Sequence, residues 1–396
     1  MTQRSLTITI VTGPWFPTPP GPSGAVERVW GDLARHFARM GHRVTVLSRA
    51  FEGLPADEER DGVRTIRLTQ WKQGSNVKID LIKDVFFSTR MFLKCPRADI
   101  VVTNAFWLPA MLSVFKRSAG RISMNVQRVP KGQMWLYRRV DRLSAVSKAI
   151  ADAIIAERPE MASQVRIIPN PIDLGYFRPP HARDLDGSGG RGRTIVFTGR
   201  IHPEKGIHVL VEAFRMLRGE FPDLNLRLIG PAAVDRGGGG DEYLSKLRSL
   251  AGDAPVAISP PIYDRAQLAA ALQEASFYCY PSLAEQGEAQ PVAPMEAMAT
   301  GLVPVVSDIP QFRDYLTPGE TGEVFNHRSG NLAENLAASL RRVIADPDRT
   351  RRMGEAAAAT AQRFGYEQVA AHYLADFYEL LGEVPAASAA GTGAAA

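Results

Sequence analysis

Phe197-Thr198-Gly199-Arg200-Ile201-His202-Pro203-Glu204-Lys205-Gly206 joins an apolar, β-branched run to a glycine turn, two cations five residues apart, and a second glycine that opens an apolar-periodic helix. Strand, glycine turn and helix in that order expose free N–H groups and the positive end of a helix dipole. Arg200 and Lys205 can then neutralise a diphosphate gripped from two sides. Taken alone, the same cations also fit an ordinary surface turn.

The pattern extends outward in both directions. Toward the carboxyl end, strand-like runs at 224–229, near 256, at 277–280 and at 303–306 alternate with helical spacing at 206–217, 243–251, 267–274 and 292–299, and helices follow at 331–345, 348–364 and 366–381. Toward the amino end, the run at 6–12 has the continuous apolar character of a strand buried on both faces. A Pro/Gly loop, 13–24, follows it. Val26, Val29, Trp30, Leu33, Ala34, Phe37 and Ala38 then recur at helical spacing before Gly41 and a strand at 44–47, and more strands fall at 100–103, 122–126, 142–146 and 165–168.

This alternation predicts an α/β chain of two doubly wound, Rossmann-like domains facing each other across a cleft. The expected division is a first domain at 1–180, a Gly-rich linker at 181–193 and a second domain at 194–365. A helix at 366–382 packs back on the first domain, and a disordered tail follows at 383–396. A length of 396 residues exceeds what one hydrophobic core usually organises.

Net charge is +5, but residues 1–180 hold 27 Lys/Arg against 15 Asp/Glu, so the first half is strongly basic and the remainder acidic. That field suits an anionic acceptor or a membrane surface as well as plain solvation. No compact basic recognition helix points to nucleic acid. No apolar run nears the roughly 20 residues that cross a bilayer, and no secretory leader precedes the first strand, so a cytoplasmic protein is expected. Cys95 and Cys279 stand too far apart in sequence for a metal cluster or a disulfide framework.

A second signal is Glu288-Ala-Gln-Pro-Val-Ala-Pro-Met-Glu296, with one carboxylate in a loop and the other on the helix after it. Paired carboxylates suit hydrogen bonds to sugar and ribose hydroxyls, because each accepts several and donates none. Helix-cap and surface acids are the plainer reading of that spacing.

The two signals, taken in order along the chain, resemble the retaining glycosyltransferases of family four, which have the two-domain GT-B architecture. The resemblance includes Gly24 and Gly41-His42-Arg43-Val44, Ser147, Pro169-Asn170-Pro171-Ile172-Asp173 with Phe177 and Pro179, Gly199-Arg200 and Lys205-Gly206. It continues through Gly230, Tyr280-Pro281-Ser282, the two glutamates, Pro304-Val305-Val306 and Gly319-Glu320-Thr321-Gly322. It implies a nucleotide-sugar donor, UDP- or GDP-linked, and transfer with retention to a hydroxyl of a lipid-linked saccharide, a polysaccharide or a small natural product. No cofactor and no metal are implied.

By the resemblance, Arg200 and Lys205 bind the diphosphate and Glu296 holds the ribose. Glu288 holds the transferred sugar and backbone near Ile262 the base. Gly24, Gly199 and Gly230 border the donor, and amides of residues 290–293, among them Gln290, Val292 and Ala293, assist. The acceptor side falls to Asn104, Asn125 and Gln127. Many relatives carry a histidine after the strand at 122–126, where this chain offers Asn125 or Gln127, and Phe-Gly where it has Gln290-Pro291. Neither amide is a general base near neutral pH, which fits a departing phosphate that takes the acceptor proton itself. A catalytically silent nucleotide-sugar-binding protein is the alternative on the same scaffold.

Asp184-Leu185-Asp186 resembles a metal-binding Asp-x-Asp and residues 187–192 a dinucleotide fingerprint, but both lie in the expected linker and neither follows a strand. Residues 70–97 mix Trp71, Phe86, Phe87 and Phe92 with Lys72, Lys78, Lys83, Arg90 and Lys94, and a similar mixture surrounds Trp135 and Tyr137. These fit amphipathic helices with core aromatics or, alternatively, peripheral contact with a membrane or acceptor. Lys205→Ala and Arg200→Ala are both expected to leave folding nearly unchanged.

Overall fold

The structure, a computed structural model, describes residues 4–18, 24–74, 76–180, 183–186 and 192–383. Its first strands are β1 (Thr7–Val11), β2 (Arg43–Arg49), β3 (Asp57–Arg60), β4 (Val63–Leu68), β5 (Ile100–Thr103), β6 (Arg121–Val126), β7 (Arg142–Ala145) and β8 (Val165–Ile167). They form one sheet in the order β3-β4-β2-β1-β5-β6-β7-β8, parallel except for the β3–β4 pair. The helices between them are α1 (Ala25–Arg39), α2 (Val77–Lys94), α3 (Leu108–Phe115) and α4 (Lys148–Glu157).

The β3–β4 hairpin turns on Asp61-Gly62, both at positive φ (54° and 75°). That is the two-residue turn whose twist matches an antiparallel pair. Strand β3, Asp-Glu-Glu-Arg, closes the edge of the sheet with charge, which discourages edge-to-edge pairing.

The second sheet is wholly parallel, in the order β11-β10-β9-β12-β13-β14. Its strands are β9 (Thr194–Thr198), β10 (Asn225–Ile229), β11 (Val256–Ser259), β12 (Phe277–Tyr280), β13 (Pro304–Ser307) and β14 (Glu323–Phe325). Helices α5 (Ile207–Arg218), α6 (Gly240–Ala251), α7 (Arg265–Glu274), α8 (Val292–Ala299), α9 (Leu332–Ile344) and α10 (Pro347–Ala361) accompany it. Phe197, Leu210, Phe214, Leu228, Phe277, Met298 and Val305 are fully buried in its core.

The chain divides into Met1–Pro169 with Tyr366–Ala396, and Asn170–Gly365. The change of unit therefore falls at Pro169–Asn170, ahead of the 181–193 stretch in which the sequence placed it. The reason is physical: Ile172, Phe177 and Leu185 are buried in the second core, and Arg193 pairs with Asp223 at 2.7 Å. The last helix, α11 (Tyr366–Leu380), belongs to the first unit. There Tyr373 lies 5.1 Å from Trp30 and Phe377 lies 6.0 Å from Phe37, centroid to centroid, and Asp376 pairs with Arg142 at 2.8 Å. The tail at 384–396 and residues 181, 182 and 187–191 lie outside the described residues.

Candidate active site

In a doubly wound sheet the two strands that flank the reversal of strand order splay their following loops apart and leave a crevice at their carboxyl ends. In the second unit those strands are β9 and β12. The loop after β9 carries Gly199, Arg200 and Lys205, and the loop after β12 carries Ser282, Glu288 and Gln290.

The two loops are stitched together by backbone. Leu283 N–H donates to the Glu204 carbonyl at 2.8 Å. Gly206 sits at φ +66° directly below, where a Cβ would lie 2.0 Å from the Pro281 carbonyl oxygen, so only glycine permits the crossing. A Cβ on Gly230 would meet the Gly199 carbonyl oxygen at 1.7 Å, which fixes glycine there for the same reason.

At the centre, Lys205 Nζ donates to Glu288 Oε1 at 2.5 Å, and both residues are at least 95% buried. Ser282 Oγ donates to the same carboxylate oxygen at 2.6 Å, and the Lys205 ammonium stands 5.5 Å from the Tyr280 ring centroid. Burial, with the Glu296 and Glu288 carboxylates adding to it, holds the Tyr278 hydroxyl well above the ordinary phenol range. Glu296 is half-buried, one turn into α8.

Arg200 lies at the rim. Its guanidinium donates to the Gly237 carbonyl at 2.8 Å and to Glu204 Oε1, and its side chain is 42% exposed. The two cations therefore differ: one is buried and carboxylate-bound, the other half-open. Sequence reasoning gave no role to Glu204, which pairs with Arg200 four residues before it, or to Ser282, which donates to the Glu288 carboxylate. Ile262 follows β11 and packs partly buried on the core, with Arg236 Nη1 donating to the neighbouring Tyr263 hydroxyl at 2.7 Å.

The Gln290 side chain is engaged within the second unit. Its Oε1 accepts from the Asn170 N–H at 2.5 Å, tying the start of the second unit to the approach to α8. Val292 and Ala293 form the first turn of α8, which no side chain caps, and Pro294 donates nothing there.

Gly24 belongs to the first unit, as the amino-terminal cap residue of α1. Beside it lies Glu27, which sequence reasoning overlooked. The residue is 6% exposed, a Cβ on Gly24 would meet its carboxyl at 2.9 Å and one on Gly13 at 3.1 Å, and burial pushes that carboxyl up to about 7. The signal was present, since 27, 30, 34 and 37 form one helical stripe whose other members are apolar.

Of the three amides, Asn104 follows β5 at the first sheet's reversal point, where its Nδ2 donates to the Val11 carbonyl at 3.3 Å and its Oδ1 is buried without a hydrogen-bond partner. Asn125, expected on the acceptor side, has its side chain engaged within the first unit. Its carboxamide accepts from Trp30 Nε1 (3.4 Å) and Gln127 Nε2 (2.8 Å) and donates to the Tyr373 hydroxyl (3.2 Å), binding α1, β6 and α11 together inside the first core. Gln127 is engaged through the same contact. Among the described residues no cluster of three or more His, Cys, Asp or Glu is placed to hold a metal ion.

Two doubly wound parallel-sheet domains, the second with a buried Lys–Glu pair at its reversal point, define a protein of the GT-B class. Residues 24–176 match the family model described as Glycosyltransferase Family 4, and residues 184–360 match the one described as Glycosyl transferases group 1. The chain belongs to the family 4 glycosyltransferases. It is 34% identical over 202 residues to a phosphatidyl-myo-inositol mannosyltransferase of Mycolicibacterium smegmatis, covering 50% of this chain and 48% of that one. It is 29% identical over 259 residues to a D-inositol 3-phosphate glycosyltransferase of Streptomyces coelicolor, covering 61% and 55%. The chain thus spans about half the length of the curated relatives it matches.

Among solved structures, sucrose-phosphate synthase from Thermosynechococcus elongatus aligns with a TM-score of 0.78 at 20% identity, covering 96% of this chain and 100% of that one. Anabaena HepE in complex with UDP and glucose aligns with a TM-score of 0.72 at 16% identity, covering 94% and 100%. At these identities the likeness speaks for the fold.

Proposed function

We propose that this protein transfers a sugar with retention from a UDP- or GDP-linked donor to an acceptor hydroxyl, without a metal ion. The observation that carries the reading is the buried Lys205–Glu288 pair at the β9/β12 reversal point. A buried charge pair is costly to maintain for stability alone, and this one stands where such sheets bind ligands.

In the proposed reaction Arg200 and Lys205 neutralise the donor diphosphate, and their attraction strengthens as the bond from the anomeric carbon to the phosphate oxygen breaks and negative charge grows on the leaving group. Glu288 keeps Lys205 in place and accepts hydrogen bonds from the sugar, while Glu296 accepts from the ribose. The free N–H groups opening α8 face the sugar-phosphate, and backbone near Ile262 meets the base. The acceptor oxygen bonds to the anomeric carbon as its proton passes to the departing phosphate oxygen on the same face. The internal use of the Asn125 carboxamide supports a mechanism with no side-chain base on β6.

The named relatives act on phosphatidyl-myo-inositol and D-inositol 3-phosphate. They favour, for this chain, an acceptor that is a lipid-linked or phosphorylated polyol. The test is a thermal-shift screen against nucleoside diphosphates and nucleotide sugars. Selective stabilisation by one base and one sugar is expected, and no shift with any of them refutes the reading.

A further inference from the structure

Helix α2 is built inside out. A surface helix ordinarily turns its apolar stripe inward and its charges to water, whereas the buried face of α2 includes Asp80, Asp84 and Ser88 beside Phe87 and Met91. Its outer face carries Ile79, Ile82, Val85, Phe86 and Leu93, with Leu93 71% and Ile82 59% exposed. At about 100° per residue, Ile82, Phe86 and Leu93 fall within about 40° of one another on that face.

The orientation is pinned by polar contacts. Asp84 Oδ2 accepts from the N–H groups of Phe106 (3.0 Å) and Trp107 (3.3 Å) where α3 begins, and Trp107 Nε1 donates to the Leu81 carbonyl at 3.0 Å. Asp80 accepts from Gly74 N–H at 2.9 Å and pairs with Lys83 at 3.2 Å. These bonds hold the apolar stripe outward. Trp71, half-exposed, extends it by packing edge-on against Phe86 at 5.4 Å, with Arg90 5.7 Å above the indole.

Cations border the stripe, Lys78 on one side and Arg90 with Lys94 on the other, while both acids of the helix face inward. The surrounding half of the chain is the basic half. An apolar stripe edged by cations matches the chemistry of an anionic lipid surface, with the side chains entering the acyl boundary and the cations meeting the headgroups. No described helix is long and apolar enough to cross a membrane, so the contact is one of lying on the surface.

We propose that the outer face of α2, with Trp71, docks this protein on an anionic lipid bilayer. The inference goes beyond the donor-site reading and does not depend on it. The test is co-sedimentation with vesicles of phosphatidylglycerol and phosphatidylcholine, or of phosphatidylcholine alone, at low and high salt and without nucleotide or acceptor. The full chain is expected to bind the anionic vesicles more tightly at low salt, with a blue shift of tryptophan emission that Trp71→Phe removes.

Ile82→Ser/Phe86→Ser/Leu93→Ser is expected to weaken vesicle binding at least about tenfold with an unchanged unfolding midpoint. Lys78→Gln/Arg90→Gln/Lys94→Gln is expected to abolish the preference for anionic lipid. Absence of binding by the unsubstituted chain, or binding by the apolar triple variant as strong as its parent's, overturns the proposal. So does self-association that the apolar triple variant abolishes in a protein that ignores vesicles, because the face then belongs to a second copy.

Discussion

Removing one member of the Lys205–Glu288 pair separates its structural from its chemical role. Both side chains are about 95% buried and share a 2.5 Å contact, and Ser282 Oγ donates to the same carboxylate oxygen at 2.6 Å. Lys205→Ala therefore leaves a buried carboxylate without its counter-charge, and Glu288→Ala leaves a buried ammonium. Each is expected to cost about 3–5 kcal/mol. For a domain the size of Asn170–Gly365 that is a fall of roughly 6–20 °C in midpoint. The expectation from sequence that Lys205→Ala spares the fold is thereby corrected.

The double replacement Lys205→Met/Glu288→Leu keeps the volume and removes both charges, so it is expected to recover most of the stability and none of the transfer. The assay is far-UV circular dichroism of unfolding. All five tryptophans, at 15, 30, 71, 107 and 135, lie in the first unit, so their fluorescence reports that unit separately. Single variants that cost under about 1 kcal/mol, or a double variant that costs their sum, refute the reasoning.

Arg200→Ala removes a half-exposed cation and is expected to leave the unfolding midpoint unchanged while turnover falls roughly ten- to a hundredfold; steady-state kinetics checks it. Glu296→Ala is expected to weaken nucleotide binding with the unfolding midpoint preserved, whereas Glu288→Ala lowers the midpoint; calorimetric titration beside a melting curve distinguishes them. Gly206→Ala, at φ +66° against the Pro281 carbonyl, is expected to destabilise by more than about 1 kcal/mol, measured by the same melting curve. Glu27 is an acid whose carboxyl rises to about 7 on folding, so its contribution is full below the ordinary glutamate range and is lost as pH climbs through 7, by about 3 kcal/mol. Glu27→Gln should flatten that decline between pH 5 and 8 in urea unfolding followed by tryptophan fluorescence, and parallel profiles for the two proteins count against it. Asp84, raised to about 6 by burial, contributes a decline of the same sign that the substitution leaves in place.

The core strands of both sheets were legible because a strand buried on both faces is a continuous apolar run, and α1 and α5 because their apolar residues recur at helical spacing. The β3–β4 hairpin was not, since its edge strand is Asp-Glu-Glu-Arg and only Asp61-Gly62 signals the turn. Strand β14 has three residues, too few to show a period. The site was legible where chemistry is local: glycines at the strand ends and cations beside them. The Lys205–Glu288 bond joins residues 83 apart and depends on which strands become neighbours, and the turning inward of Asn125 depends on α11, nearly 250 residues later. Neither follows from spacing. The unit boundary was misplaced because glycine content was followed where burial decides: Phe177 and Leu185 already belong to the second core.

The central claim is that a donor diphosphate sits at Arg200 and Lys205. Its most direct test is calorimetric titration of the unsubstituted protein and Arg200→Ala with a nucleoside diphosphate and with the matching nucleoside. The account predicts that the substitution weakens the diphosphate at least about tenfold and leaves nucleoside affinity unchanged. Equal losses for both ligands, or none for either, would contradict it.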